Sequence, residues 1–260
     1  MTAFAHSLEV RTKALSMLRE GVPNQAVAEA LGVPSGTVGW WLHEDRRRSG
    51  LLPPKRSRIM SCFRCTNAEL PRPSYAYLLG LYLGDGHIID KKRRHSLGIT
   101  CSNAWPGLMD ECERAMSAVM PRNKVWRRRG AGCHDVMSSS VHWTCLFPQH
   151  GPGLKHTRAI VLEPWQREIV DEFTEEFVRG LIHSDGCRVY NVAVRRRDGR
   201  VTRYYYSRYH FTNESTHIRE LFTSALDRLG VEWRYNNRNC VSIARRESVR
   251  RLDGFVGPKH

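Results

Sequence analysis

The stretch YAYLLGLYLGDGHI at residues 75–88 returns, altered but in the same order, as EEFVRGLIHSDGCRV at 175–189. Both carry Gly, Leu, two variable residues, a small residue, Asp and Gly. These are Gly80-Leu81-Tyr82-Leu83-Gly84-Asp85-Gly86 and Gly180-Leu181-Ile182-His183-Ser184-Asp185-Gly186, with the two Asp residues 100 positions apart. Each stretch reads as a helix ending in Asp-Gly. Gly80 and Gly84, like Gly180 and Ser184, stand at i and i+4 on one helix face, so two such helices can cross with their backbones nearly touching. A carboxylate at a helix C-terminus faces the negative end of the dipole, and the crossing sets Asp85 against Asp185 as like charges. A divalent cation relieves both penalties. Ligation by oxygen alone suits Mg²⁺ rather than Zn²⁺.

The segments downstream of the two copies also correspond. Strand-like GITCSN (98–103) and YHFTNES (209–215) align Ser102-Asn103 with Thr212-Asn213. Amphipathic PGLMDECERAMSAVM (106–120) and STHIRELFTSALDRLG (215–230) come next, then strands built around Trp, KVWRRR (124–129) and VEWRYN (231–236). The tails GPGLKH (151–156) and VGPKH (256–260) match as well. The pattern implies an α+β domain made of a duplicated helix, hairpin, helix, hairpin unit, with the first repeat at 73–165 and the second at 166–260.

The 260 residues include 41 Lys+Arg against 26 Asp+Glu, a net charge of +15, and 41% are hydrophobic. That composition supports one or two packed cores and excludes disorder over most of the chain. No apolar run reaches the roughly 18 residues of a membrane span, and the N-terminus lacks a secretory pattern. A cytoplasmic, nucleoid-associated protein is the expectation, without membrane contact. Eight cysteines are too sparse for a disulfide scaffold at this size. The basic charge gathers in KKRR (91–94), RNKVWRRR (122–129) and VRRRDGRVTRYYYSRY (194–209), mostly on hairpins. Alternation in VTRYYYSRYHF puts Arg203, Tyr205, Ser207 and Tyr209 on one face and Tyr204, Tyr206, Arg208 and His210 on the other. Arg93, Arg127, Arg129, Arg195, Arg203 and Tyr205 are the candidate contacts to double-stranded DNA from these runs, and such binding is expected to be steeply salt-dependent.

Residues 1–48 read as three short helices. Val10, Ala14, Leu15 and Leu18 line the first, Asn24 caps NQAVAEALG, and Ser35 opens SGTVGWWLHEDRRR. Val27, Ala28, Leu31, Val33, Val38 and Trp41 stand where a helix-turn-helix packs its two helices, and Gly32 suits the turn. The pattern resembles the helix-turn-helix of site-specific recombinases and many bacterial regulators. In that resemblance Ser35, Thr37, Trp40 and His43 face the major groove. RRRSGLLPPKRSR, containing Arg46 and Arg47, begins a basic linker assigned to 49–72, which tracks a phosphate backbone or is simply solvated. Cys62-Phe63-Arg64-Cys65 within it is half of a zinc ribbon. Zn²⁺ there needs distant ligands such as Cys133, His134, Cys145 or His150.

LLGLYLGDG and VRGLIHSDG resemble the paired signature of LAGLIDADG homing endonucleases in their single-chain, two-repeat form, over roughly residues 75–260. The resemblance implies a pseudo-twofold αββαββα pair acting as a monomer, with strands forming a saddle over DNA. It implies Asp85 and Asp185 as Mg²⁺ ligands, with the carbonyls of Gly84 and Ser184 beside them, in hydrolysis of phosphodiester bonds. Lys155 and Lys259 in the matching tails resemble the basic residues that neutralise charge around the scissile phosphates. Leu83 and His183 depart from the family pattern at a position that is not the catalytic one. Relatives with an attached helix-turn-helix include catalytically silent transcription regulators, and that alternative stays open. So does an RNA-binding splicing role, against which a major-groove recognition helix argues.

Overall fold

The computed structural model describes residues 6–51, 62–91, 94–198 and 200–259. Arg93 therefore lies outside the described residues. The chain divides into two compact units, residues 1–59 and 60–260.

The first unit holds α1 (Leu8–Arg19), α2 (Asn24–Leu31) and α3 (Ser35–Arg48). The Ser7 hydroxyl accepts from the Val10 amide at 3.3 Å and caps α1. Pro23 and Pro34 precede α2 and α3 with φ of −59° and −56°, so Asn24 is the first helical residue of α2 rather than its cap. Ala14, Val27, Ala28, Val33, Val38 and Trp41 are buried together, and Gly32 turns the chain between α2 and α3 at φ +61°.

The second unit runs α4 (Phe63–Thr66), α5 (Arg72–Leu83), β1 (Gly86–Lys91), β2 (Arg94–Ser102), α6 (Pro106–Val119), β3 (Val125–Arg129), β4 (Cys133–Ser139) and α7 (Trp143–Leu146). It continues α8 (Pro164–Glu172), α9 (Thr174–Asp185), β5 (Gly186–Arg197), β6 (Arg200–Thr212), α10 (Thr216–Arg228), β7 (Arg234–Asn237), β8 (Cys240–Ile243) and α11 (Arg246–Asp253). The order αββαββα occurs twice. The two antiparallel sheets have the same strand order, β1-β2-β4-β3 and β5-β6-β8-β7. Phe63–Thr66 and the first residue of α5, expected to belong to the linker, lie inside this second unit. No described helix is long and apolar enough to cross a membrane.

One core joins both repeats. Every residue of α5 from Tyr75 to Leu83 is buried, as a helix without a polar face requires. Its partner is α9, whose Phe177, Val178, Leu181 and Ile182 face the same core. Ile88, Leu97, Ile99 and Val136 of the first sheet, and Tyr209, Phe211, Val241 and Ile243 of the second, close it from the strand side. The crossing is close enough to exclude side chains. A Cβ on Gly80 would lie 2.5 Å from the Phe177 carbonyl oxygen and 2.7 Å from the Leu181 nitrogen. A Cβ on Gly180 would run into the Tyr77 carbonyl and sit 3.0 Å from the Gly80 Cα.

These obstacles are backbone atoms of two helices that cannot shift independently. Gly80→Ala and Gly180→Ala are each expected to destabilise the second unit by about 1–3 kcal/mol or more. Urea unfolding of the full chain measures this, and an unchanged midpoint would show that the helices do not meet at these glycines.

Candidate functional site

The chain leaves α5 and α9 by a reversal so tight that a Cβ on Gly86 would overlap the last turn at Tyr82, and one on Gly186 would lie 2.7 Å from the Ile182 Cα. Glycine after each aspartate is thus a requirement of the exit into β1 and β5. The same geometry aims both carboxylates at the end of the helix pair. A Cβ on Gly84 would stand 3.0 Å from Asp185 Oδ2, so the second acid lies against the end of the first helix. Both carboxyls are reached by solvent but densely surrounded by protein. Desolvation first, then repulsion from Asp185, pushes the Asp85 carboxyl up to about 6. Desolvation also raises Asp185, against an opposing hydrogen bond from Asn213.

Lys155 and Lys259 come to equivalent places. Lys155 Nζ lies 2.7 Å from the carbonyl oxygen of Tyr82 and 2.9 Å from those of Leu83 and Gly86, and also contacts that of Gly84. Lys259 Nζ donates to the carbonyls of Ser184 at 3.2 Å and Gly186 at 2.6 Å. Each ammonium caps the negative end of a helix and offsets the misplacement of the neighbouring carboxylate. Burial lowers the Lys155 ammonium to about 8, with Asp185 and Asp85 opposing the shift. The carbonyls of Gly84 and Ser184 therefore already gather cationic charge, and with two carboxylates they form an all-oxygen donor set that fits a hard divalent cation.

The tail that carries Lys259 is fastened by a residue that stands where the first repeat has Leu83. His183 is 2% exposed; its Nε2–H donates to the Val256 carbonyl at 2.9 Å, and its Nδ1 accepts from the Tyr77 hydroxyl at 2.9 Å. Burial, reinforced by Arg179, lowers this imidazole to about 4 and keeps it neutral. Arg179 in turn pairs with Glu111. Asn213, missed as a site residue in the sequence, donates to Asp185 Oδ2 at 2.5 Å. The strand ladder pairs Gly86 with Ile99 and Gly186 with Phe211, so Asn213 corresponds to Cys101 rather than Asn103. The link from Thr100 to Pro106 is longer than that from Thr212 to Thr216, which makes the two words look aligned. Asn103 instead contacts His134 at 2.7 Å.

The candidate nucleic-acid residues are scattered over different faces. Arg127 lies on the core side of its sheet and is held by Glu113 at 2.7 Å and by Asp110, both on α6. These two carboxylates hold the guanidinium against α6 in the folded chain. Arg129 is exposed farther along the same side. The opposite face carries Trp126 and Arg128, the latter paired with Asp135 at 2.7 Å. In the second repeat β5 and β6 pair from Gly186↔Phe211 out to Arg197↔Arg200, while β8 pairs only with Tyr209–Thr212. The remainder is a two-stranded ribbon. Arg203 and Tyr205 share the side of Tyr209 and Phe211, and Tyr205 stacks on Tyr190 at 6.0 Å. Arg195 is on the other side, with Asn191, Tyr206 and Arg208. On α3, Ser35, His43, Arg46 and Arg47 are not buried and Trp40 is 57% exposed, with the Arg11 guanidinium 5.8 Å from its ring. Thr37 is half-buried at the edge of that face, and Arg47 pairs with Glu44 at 2.5 Å.

No protein-family model and no curated protein sequence matches the chain. Its neighbours among solved structures are LAGLIDADG homing endonucleases. I-DmoI in complex with DNA and Mn is 16% identical, with 72% of this chain and 98% of that chain covered and a TM-score of 0.49. The LAGLIDADG meganuclease I-AabMI bound to uncleaved DNA is 9% identical, covering 70% and 82%, with a TM-score of 0.46. The homing endonuclease I-WcaI bound to its DNA recognition sequence is 13% identical, covering 82% and 93%, with a TM-score of 0.46.

Because the Asp85 carboxyl moves from 3.8 to about 6 on folding, the folded state keeps a proton that the unfolded chain has lost between those values. The stabilisation this gives is complete below pH 3.8 and gone above about 6. Without divalent cations, Asp85→Asn is expected to raise Tm over the parent at pH 7.5 and to leave it unchanged at pH 3.5. An Asn variant less stable at pH 7.5 would show that Lys155 and Lys259 outweigh the burial of the charge.

Proposed function

We propose that the protein is a site-specific endonuclease for double-stranded DNA, acting as a monomer with internal pseudo-twofold symmetry. The observation that carries this reading is the meeting of Asp85 and Asp185 at the paired ends of α5 and α9, each with a half-buried lysine at the equivalent place. Two acid centres related by a pseudo-twofold suit the two antiparallel strands of a duplex, one phosphate to each. Asp85 and Asp185, with the carbonyls of Gly84 and Ser184, would hold Mg²⁺, which when bound would supply Lewis-acid activation of water and stabilisation of the leaving oxygen. Lys155 and Lys259 lower the negative charge that two carboxylates present to an incoming phosphate, and His183 with Tyr77 keeps Lys259 in position through Val256.

The net charge of +15 provides the attraction to a polyanion. Reading of sequence falls to the β5–β6 ribbon, of a width the major groove admits, through Arg195, Asn191, Tyr206 and Arg208 or through Arg203 and Tyr205. The outer face of α3, with Ser35, Trp40, His43, Arg46 and Arg47, adds a second reading element in a helix-turn-helix arrangement.

The test uses duplex DNA spanning the gene's own flanks joined across it, incubated with the protein in Mg²⁺ and mapped by end-sequencing. Double-strand cuts are expected, with Asp85→Asn and Asp185→Asn each lowering the rate at least about a hundredfold while duplex binding persists. Tight, salt-sensitive binding without cleavage in any divalent cation would overturn the nuclease reading in favour of a regulator. In the binding assay, Arg195→Ala is expected to reduce the slope of log K against log salt by about 0.9, and Arg127→Ala to leave it unchanged.

A further inference from the structure

Outside the acid site, two short helical turns, one preceding α5 and one following β4, face each other. Cys62 stands at the start of α4, where its carbonyl accepts from the amides of Cys65 at 3.2 Å and Thr66 at 2.9 Å. That turn brings residues i and i+3 to one side. His142 stands likewise at the start of α7, its carbonyl accepting from the amides of Cys145 at 3.1 Å and Leu146 at 3.2 Å. The two turns present C-x-x-C and H-x-x-C to each other. The Cys65 and Cys145 sulfurs are 3.7 Å apart, and Cys145 Sγ is 3.8 Å from His142 Nδ1. Ligand atoms of all four residues lie within 4.8 Å of one another, and among the described residues they are the group of His, Cys, Asp or Glu that close.

These spacings suit one ion. Tetrahedral zinc with Zn–S arms of about 2.3 Å places sulfurs roughly 3.8 Å apart, and the Zn–N arm is slightly shorter. Three soft thiolates with one imidazole select zinc over the hard cations that suit the carboxylate site. We propose that Cys62, Cys65, His142 and Cys145 form a structural zinc site that staples the segment entering α5 to the end of the first repeat. Four protein ligands leave no open position, so the site holds the fold and does no chemistry. Of the distant ligands considered from sequence, Cys145 takes part. Cys133 and His134 are on β4, and His150 contacts Asp90 at 2.9 Å. The staple sits beside the packing of Phe63 and Arg64 on Trp165, with the Phe63 and Trp165 rings 5.5 Å apart.

The full-length protein, expressed with zinc and passed through metal-free buffer, is expected to carry one zinc per chain by elemental analysis. Cys65→Ser and Cys145→Ser are expected to lose it. Chelator is expected to lower the Tm of the parent and leave that of Cys65→Ser unmoved. His142→Cys guards against simple misfolding, since it should keep one metal, and on Co²⁺ substitution its thiolate charge-transfer band should exceed the parent's as three thiolates become four. A parent chain with no more zinc than Cys65→Ser, before and after refolding with equimolar Zn²⁺, would overturn the proposal. So would recovery of Cys65 and Cys145 as a disulfide.

Discussion

Where α5 crosses α9, the backbone of one helix occupies the space a Cβ on the other would need, so Gly80 and Gly180 set the separation of the repeats. The rest of the second unit depends on that distance. A helix buried at every position from Tyr75 to Leu83 cannot exist in water alone, and at roughly 1.5–3 kcal/mol per buried large apolar side chain its burial outweighs the loss of backbone freedom only when the partner helix and both sheets are present. Close approach also lets both helices end at one place. The acid pair is a consequence of the packing as much as of the choice of aspartate.

That placement costs electrostatic energy, and the fold answers locally. Two carboxylates sit together at the negative ends of two dipoles, where burial and mutual repulsion raise Asp85. The lysines do not pair with the carboxylates by direct hydrogen bonds; they bind the carbonyls at the helix ends and act on the acids through space. The tails that deliver them are anchored differently. Arg158 donates to the carbonyls of Gln149 and Gly153 in the first repeat, and His183 holds Val256 in the second.

The duplication and its helix, hairpin, helix, hairpin order were legible, because both depend on backbone order and small-residue spacing that survive divergence. Positions on individual strands were less so. KVWRRR and VEWRYN look alike, yet the ladders set Trp126 opposite Met137 and Arg234 opposite Ser242, so Arg234 is the counterpart of Trp126. A slip of one residue reverses every side chain. Trp233 accordingly packs against the core and donates to Asp227 at 2.7 Å, while Trp126 looks the other way. The ion pairs of Arg127 with α6 were hidden for the same reason, since its charge is visible in sequence and its face is not. His142 carried a readable signal, the H-x-x-C of VHWTC mirroring the C-x-x-C upstream, but which distant pair meets which is a matter of tertiary contact.

The strands of the first hairpin have 6 and 9 residues, and those of the second have 12 and 13. A dimer of identical chains would have to carry each such change twice. Fusing two copies in one chain frees either half to lengthen, to exchange Leu83 for His183 or to add Asn213 without disturbing the other. The resulting surface has no true dyad, and a palindromic object laid on it would fit one half and miss the other.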